Sequence, residues 1–199
     1  MTRVKICGIT NLEDALAAAE LGADMLGFVF AESRRSISPE AARRIVESIP
    51  PYVTTVGVFR DQPVSVVEDI AERVRLHAVQ LHGAESPKAC EWLAKRRKVI
   101  KRISISSGDT PVSIEERMAA YRASSFLLDP GAGDGRTFDW RQALGIARPF
   151  IVAGGLTAGN VREVVRLLRP LAVDVSTGVE KSPGIKDYGK MKAFIQEAR

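Results

Sequence analysis

Residues 4 to 10 read Val4-Lys5-Ile6-Cys7-Gly8-Ile9-Thr10, and the way this first apolar run ends decides the fold. A short buried strand that turns at a glycine into a helix-length segment opens a strand-then-helix unit. In an open dinucleotide-binding sheet the first such turn would carry G-x-G-x-x-G. Here Cys7-Gly8-Ile9-Thr10 holds one glycine. The same unit recurs outward along the chain, with strand-like runs at 4–7, 25–30, 53–59, 78–81, 99–105, 125–129, 150–153 and 171–175. Between them apolar residues return at helical spacing, as in Leu12, Ala15, Leu16, Ala19 and in Val161, Val164, Val165, Leu168. Eight units of about 25 residues, without the dinucleotide fingerprint, predict an α/β chain closed into a single (βα)8 TIM barrel spanning residues 1–199. That fold puts its active site at the C-terminal ends of the strands.

Helix starts are expected from local chemistry as well. Thr10 with Glu13 and Ser113 with Glu116 fit the capping box, in which hydroxyl and carboxylate satisfy orphan amides reciprocally. Ser38-Pro39 and Ser86-Pro87 place a cap before a proline suited to the first helical position.

Composition narrows the function classes. The 199 residues are 45% hydrophobic and 27% charged, ordinary for one globular domain with a sizeable core. No signal-peptide pattern follows Met1, and no apolar stretch reaches the roughly 20 residues of a membrane span, so a cytoplasmic protein without a membrane partner is expected. Cys7 and Cys90 have no metal-ligand spacing, and with two histidines in the chain no metal site is expected. The net charge of +5 would attract an anionic ligand or a nucleic acid alike. The densest basic run, Lys95 to Lys98 with Lys101 and Arg102, lacks interleaved aromatics to stack bases. It reads as cations at a helix C-terminus, so no nucleic-acid partner is expected.

A barrel interior is packed with apolar side chains, so an inward polar residue needs a reason. Residues two apart on a strand share a face. Lys5 pairs in this way with Cys7, Gln80 with His82, and Asp174 with Ser176; Asp129 ends the run Phe126-Leu127-Leu128. Cys7, His82, Ser176 and Asp129 all fall at strand C-termini, where they converge on one mouth. Lys5 and Asp174 are expected to pair inside the barrel as structural support. Gly154-Gly155 after the seventh strand, before a helix starting near Thr157, and Ser176-Thr177-Gly178 after the eighth form a candidate phosphate cradle. Glycines there let backbone amides approach an anion, helix N-termini add their dipole, and these loops are the recurrent phosphate site of the fold. Cys90 and Trp92 are read as helix packing.

Five segments carry a family resemblance: Val4 to Thr10, Gln80-Leu81-His82-Gly83, Gly135 to Trp140, Ala153-Gly154-Gly155-Leu156, and Asp174 to Glu180. In that order, and over essentially the whole chain, they resemble the phosphoribosylanthranilate isomerases of tryptophan biosynthesis. The resemblance implies an Amadori rearrangement of a small phosphorylated substrate with no cofactor. It implies Cys7 as the base that takes the sugar C2 proton and Asp129 as the acid that protonates the ring oxygen. By it, Arg35 in the loop after the second strand contacts the substrate, where a guanidinium fork suits a carboxylate. His82 is an orienting or anion-binding residue, and Gly154, Gly155, Ser176 and Gly178 hold the phosphate. The glycine-rich stretch 129–139 is similar to a loop over the site, and a monomer or a homodimer is compatible with all of this.

The chemistry sets two electrostatic demands. A thiol of reference pKa about 8.5 needs an electropositive shift to act near neutrality. A carboxyl of reference pKa about 3.9 must be raised, by desolvation or nearby anions, to donate there. The nearest rival is a related barrel isomerase of histidine biosynthesis acting on another aminoaldose phosphate; it uses an aspartate where Cys7 stands. A basic nucleic-acid-binding protein is the rival from another class.

Overall fold

A computed structural model describes residues 1–131 and 137–199. Eight parallel strands close on themselves in chain order, β1 (Arg3–Cys7), β2 (Met25–Val29), β3 (Thr54–Phe59), β4 (Ala78–Leu81), β5 (Lys98–Ser104), β6 (Ser125–Asp129), β7 (Phe150–Val152) and β8 (Ala172–Val175). The chain is a (βα)8 barrel, and each strand end lies within one residue of its expected position. Helices α1 (Leu12–Glu20), α2 (Pro39–Ser48), α3 (Val64–Val74), α4 (Pro87–Ala94) and α5 (Pro111–Ala119) follow the first five strands. After β6 the described residues hold only a turn of 3₁₀ helix, Trp140–Ala143. After β7 comes α6 (Val161–Leu168), and after β8 a 3₁₀ turn (Thr177–Val179), a hairpin of β9 (Glu180–Ser182) and β10 (Ile185–Lys186), and α7 (Tyr188–Glu197).

Alternation along the strands sorts the core into two bodies. Outward residues such as Val4, Leu26, Phe59, Val79, Leu128 and Val173 pack against the helices. Inward residues Val56, Ala78, Ile100, Leu127, Ile151 and Ala172 fill the barrel floor. The period of two puts apolar atoms on both faces, which is why the strands read as largely apolar runs. On α1 the buried face is Ala15, Ala18 and Ala19, whereas Leu12 and Leu16 are 40% and 41% exposed. The small side chains let that helix lie close to the barrel, so the leucines of the expected stripe point away.

Two caps differ from expectation. Asn11, not Thr10, caps α1 by accepting from the Asp14 amide, while the Thr10 hydroxyl donates to the Gly184 carbonyl of the hairpin turn. Thr110, not Ser113, caps α5, with Ser113 completing the capping box three residues in. Proline at position 111 explains the shift, because its fixed φ suits N1 and pulls the start forward. Ser38 and Ser86 cap α2 and α4 as expected, each before a proline. Helix α6 starts at Val161 rather than near Thr157, because the Asn160 side chain accepts from the Thr157 amide and holds 157–160 as a turn. Among the described residues no helix is long and apolar enough to cross a membrane.

Candidate active site

One pocket at the C-terminal mouth is walled by Cys7, Arg35, His82, Asp129, Gly154, Gly155, Ser176 and Gly178. All eight residues singled out from the sequence therefore meet there, although they come from six strands or the loops behind them.

Cys7 closes β1 opposite Gly27 of β2. A Cβ at Gly27 would lie 2.7 Å from the Cys7 sulfur and 3.2 Å from Lys5 Cε, so the missing side chain makes room for both. Gly8 follows with φ +78°, a turn that L side chains resist, and Arg35 Cδ passes 2.7 Å from where its Cβ would be. Burial raises the Cys7 thiol above its ordinary value, and the ammonium groups of Lys5 and Lys186 offset this only in part. The electropositive shift expected from the sequence is present in its sources but outweighed by desolvation.

Lys5 is fully buried and paired with Asp174 at 3.0 Å, the interior pair expected from the sequence. Burial pushes Lys5 down, but the Asp174 carboxylate outweighs that and holds the ammonium charged. Lys5 Nζ also donates to Gln80 Oε1 at 3.0 Å, and Gln80 Nε2 lies 3.1 Å from His82 Nδ1. His82 Nε2 in turn sits 3.4 Å from Asp129 Oδ2. Burial drives His82 down to about 3, helped by Arg102, Lys5, Arg60 and Lys101, so the imidazole is neutral. Asp129 Oδ1 accepts from the Gly131 amide at 3.0 Å, while His82 Nε2 and Arg102 Nε lie 3.4 and 3.8 Å from Oδ2.

Arg35 is not an open fork. Its Nε and Nη2 donate to the two oxygens of Glu180 at 2.8 and 2.7 Å, and Nη2 also donates to the Thr177 hydroxyl at 3.1 Å. Of the five guanidinium hydrogens, the pair on Nη1 has no hydrogen-bond partner among the described residues and is open to a ligand. Burial pushes the Glu180 carboxyl up, but Arg35, Lys186 and the Gly184 amide hold it at about 2. Lys186 Nζ bridges Glu180 Oε1 at 2.9 Å and the Cys7 carbonyl at 2.6 Å, so the hairpin ties Arg35 to the end of β1.

The glycine loops after β7 and β8 continue the wall beside Arg35, which reaches Thr177 of the second loop. Gly154 and Gly155 have φ of +88° and +62°, and a Cβ on Gly178 would meet the Leu156 carbonyl oxygen at 2.0 Å, so the two loops touch through bare backbone. With α6 starting at Val161 and a 3₁₀ turn behind Ser176, the helix dipoles invoked from the sequence are a smaller part of this cradle than the turn amides. Ser176 Oγ and Asp174 Oδ1 are buried at the pocket wall with no hydrogen-bond partner among the described residues. Such orphans need a ligand or water to satisfy them.

The family model of N-(5'-phosphoribosyl)anthranilate (PRA) isomerase matches residues 4–197. The chain belongs to the PRA isomerase family. It is 47% identical to the N-(5'-phosphoribosyl)anthranilate isomerase of Pelobacter propionicus over 207 aligned positions, covering 100% of this chain and 96% of that one. Among solved structures it resembles a phosphoribosyl anthranilate isomerase in complex with reduced 1-(o-carboxyphenylamino)-1-deoxyribulose 5-phosphate, at TM-score 0.90 and 47% identity, covering 100% and 98% of the two chains. It also resembles monomers generated from the dimeric phosphoribosylanthranilate isomerase of Thermotoga maritima, at TM-score 0.89 and 46% identity, covering 100% and 98%.

Several residues around the PRA isomerase pocket were not found from the sequence. Glu180 and Lys186 lie on a hairpin too short and polar to show a strand pattern, though the Pro183-Gly184 pair was a turn signal. Lys101 and Arg102 were read with the basic run as helix-end cations. Both are on β5: Lys101 is buried in a 2.7 Å pair with Glu85, and Arg102 reaches Asp129 at the mouth. Cys90 is buried, as expected of a helix-packing residue. The expected loop over the site, 129–139, includes residues 132–136, which lie outside the described residues.

Proposed function

We propose that this isomerase converts N-(5'-phosphoribosyl)anthranilate to 1-(2-carboxyphenylamino)-1-deoxyribulose 5-phosphate by general acid–base catalysis, the third step from chorismate in L-tryptophan biosynthesis. Residues 1–199 act as one barrel domain, in the cytoplasm, as a monomer or homodimer, on a phosphorylated small molecule and without a cofactor. Asp129 protonates the ring oxygen as the C1–O bond of the furanose breaks, and Cys7 removes the C2 proton of the resulting iminium to leave an enol-amine. The enol-amine tautomerises to the ketone as C1 gains a proton and the C2 hydroxyl gives one up. The observation that carries this reading is the meeting of Cys7, Asp129 and the paired glycine loops in one pocket, with Ser176 Oγ and Asp174 Oδ1 left unsatisfied at its wall. Gly154, Gly155, Ser176 and Gly178 hold the phosphate, and Arg35 offers Nη1 to the anthranilate carboxylate. His82 orients Asp129.

Since burial keeps the free Cys7 as a thiol, the tuning that the chemistry demands is left to the bound substrate. The cationic iminium formed beside the sulfur favours the thiolate, adding to Lys5 and Lys186. The ascending limb of kcat/KM, which reports the free enzyme, is then expected at higher pH than that of kcat, which reports the complex. Direct turnover of phosphoribosylanthranilate by the purified protein tests the activity. Cys7→Ala and Asp129→Asn are each expected to lower kcat by roughly 10² to 10⁴ while the fold survives. Activity within tenfold of wild type in either variant would remove that residue from the mechanism.

A further inference from the structure

Inside the barrel Lys5 Nζ donates to Gln80 Oε1 at 3.0 Å and Gln80 Nε2 lies 3.1 Å from His82 Nδ1, a directed chain whose far end, His82 Nε2, faces Asp129 Oδ2 at 3.4 Å without closing a hydrogen bond. Donor and acceptor counting fixes every member. An ammonium has only hydrogens to give, so the Gln80 face toward Lys5 must be its carbonyl oxygen, and its NH₂ must face His82. An amide NH₂ donates, so His82 Nδ1 must accept and carry no proton. The remaining proton of a neutral imidazole is then on Nε2, pointing at Asp129. Lys5 itself is anchored by Asp174 at 3.0 Å on the far side, so the direction of the chain starts from a buried ion pair.

We propose that Gln80, keyed by Lys5, is a positioning residue that locks His82 as the neutral Nε2–H tautomer facing Asp129 and bars it from carrying a catalytic proton. This rests on Asp129 acting as the acid, as proposed above. A second proton on His82 would have to enter at Nδ1, where the Gln80 hydrogens already point. The charged groups around the ring agree: Lys5 from β1, Arg60 after β3, and Lys101 and Arg102 from β5 all oppose an imidazolium, and among the described residues Asp129 from β6 is the anion in contact. Arg102 Nη1 lies 3.4 Å from the His82 carbonyl, which adds to the hold on that residue. The neutral ring thus presents an N–H edge toward Asp129 without competing with it for the proton.

Nitrogen-15 NMR of the histidine rings, with His82 identified by its loss in His82→Asn, reads the lock directly. In the wild type His82 is expected neutral, with the proton on Nε2, and without titration between about pH 5 and pH 8. A proton on Nδ1, or an imidazolium in that range, overturns the proposal. Gln80→Glu keeps the contact to Lys5 and turns the face at Nδ1 from donor to acceptor. In that variant His82 is expected to gain the Nδ1 proton and titrate within the same range. Its kcat is expected to fall by up to roughly a hundredfold, with KM changed far less and a new ionisation in the kcat profile. Wild-type NMR signals and kinetics in Gln80→Glu would overturn the role of Gln80. If Gln80→Glu does not fold, the wild-type spectrum still decides. Full activity of Asp129→Asn would overturn the acid assignment and with it the catalytic purpose of the lock, while the ring protonation would stand or fall on its own measurement.

Discussion

Two storeys of the barrel interior sit on the same faces of the same strands and obey different physics. The lower one is Val56, Ala78, Ile100, Leu127, Ile151 and Ala172, an apolar floor. Two residues further along, four of those six inward positions become Gln80, Arg102, Asp129 and Asp174, beside Lys5 and Cys7 of β1, while Val58 and Ala153 stay apolar. Because the floor is apolar and buried, a charge in the storey above has no polar partner beneath it and must find one among the protein groups at its own level. That is why Lys5 pairs with Asp174 and Gln80. The floor supplies stability and makes the upper storey an electrostatic environment in which small shifts in protonation matter.

The strongest way to break this contrast is to remove one charge from the upper storey. Lys5→Met keeps much of the volume but leaves Asp174 buried and uncompensated. Breaking such a pair typically costs about 3 to 5 kcal/mol. Urea denaturation should show a loss of that order. A loss below about 1 kcal/mol would mean that water reaches Asp174, and the storey would not be dry.

A somewhat smaller effect is expected from acid. The Glu180 carboxyl is held at about 2 by Arg35, Lys186 and the Gly184 amide against the push of burial. A depressed folded value means that its contribution is complete above the ordinary carboxyl range. It is lost as pH falls from about 4.3 through the folded value, up to about 3 kcal/mol in all. Glu180→Gln should flatten this part of the stability profile. An apolar substitution in the floor should lower the whole profile without changing its slope there. An unaltered acid slope in Glu180→Gln would show that other carboxylates set it.

The two storeys were also unequally legible in the sequence. All eight strands could be read to within one residue because a strand buried on both faces is apolar at most positions, with β5 the most interrupted. The inward polar residues Lys5, Gln80, Asp129 and Asp174 stood out against that background for the same reason. What could not be read was who answers them. Arg102 and Lys101 lie in a basic run, and a charge run ordinarily marks a solvated face. Glu180 and Lys186 come from a hairpin whose two short strands are mostly polar and pair only with each other. Arg35 could be placed at the mouth, but its closure on Glu180, 145 residues away, is a tertiary fact. The caps failed in a related way: Thr10 looked like an N-cap locally and was taken by the Gly184 carbonyl, which left Asn11 to cap α1.

The smallest effect is the sharpest test of whether the storeys are separable. Ile151 is 2% exposed on β7, hydrogen-bonded in register between Leu127 and Ala172, and so belongs wholly to the floor. The next inward residue on its strand line is Ala153, which already lines the pocket. Ile151→Val deletes one methylene from the layer immediately beneath the chemistry. Such a change typically costs about 0.5 to 1.5 kcal/mol, from lost transfer energy and a void that the neighbours close only in part. If the floor merely supports, that loss should appear in denaturation while kcat, KM and both limbs of the pH profile stay as in the wild type. If kcat falls in step with stability, the floor is setting the positions of the groups above it. The polar chain from Lys5 to His82 would then depend on apolar packing as well as on its own hydrogen bonds.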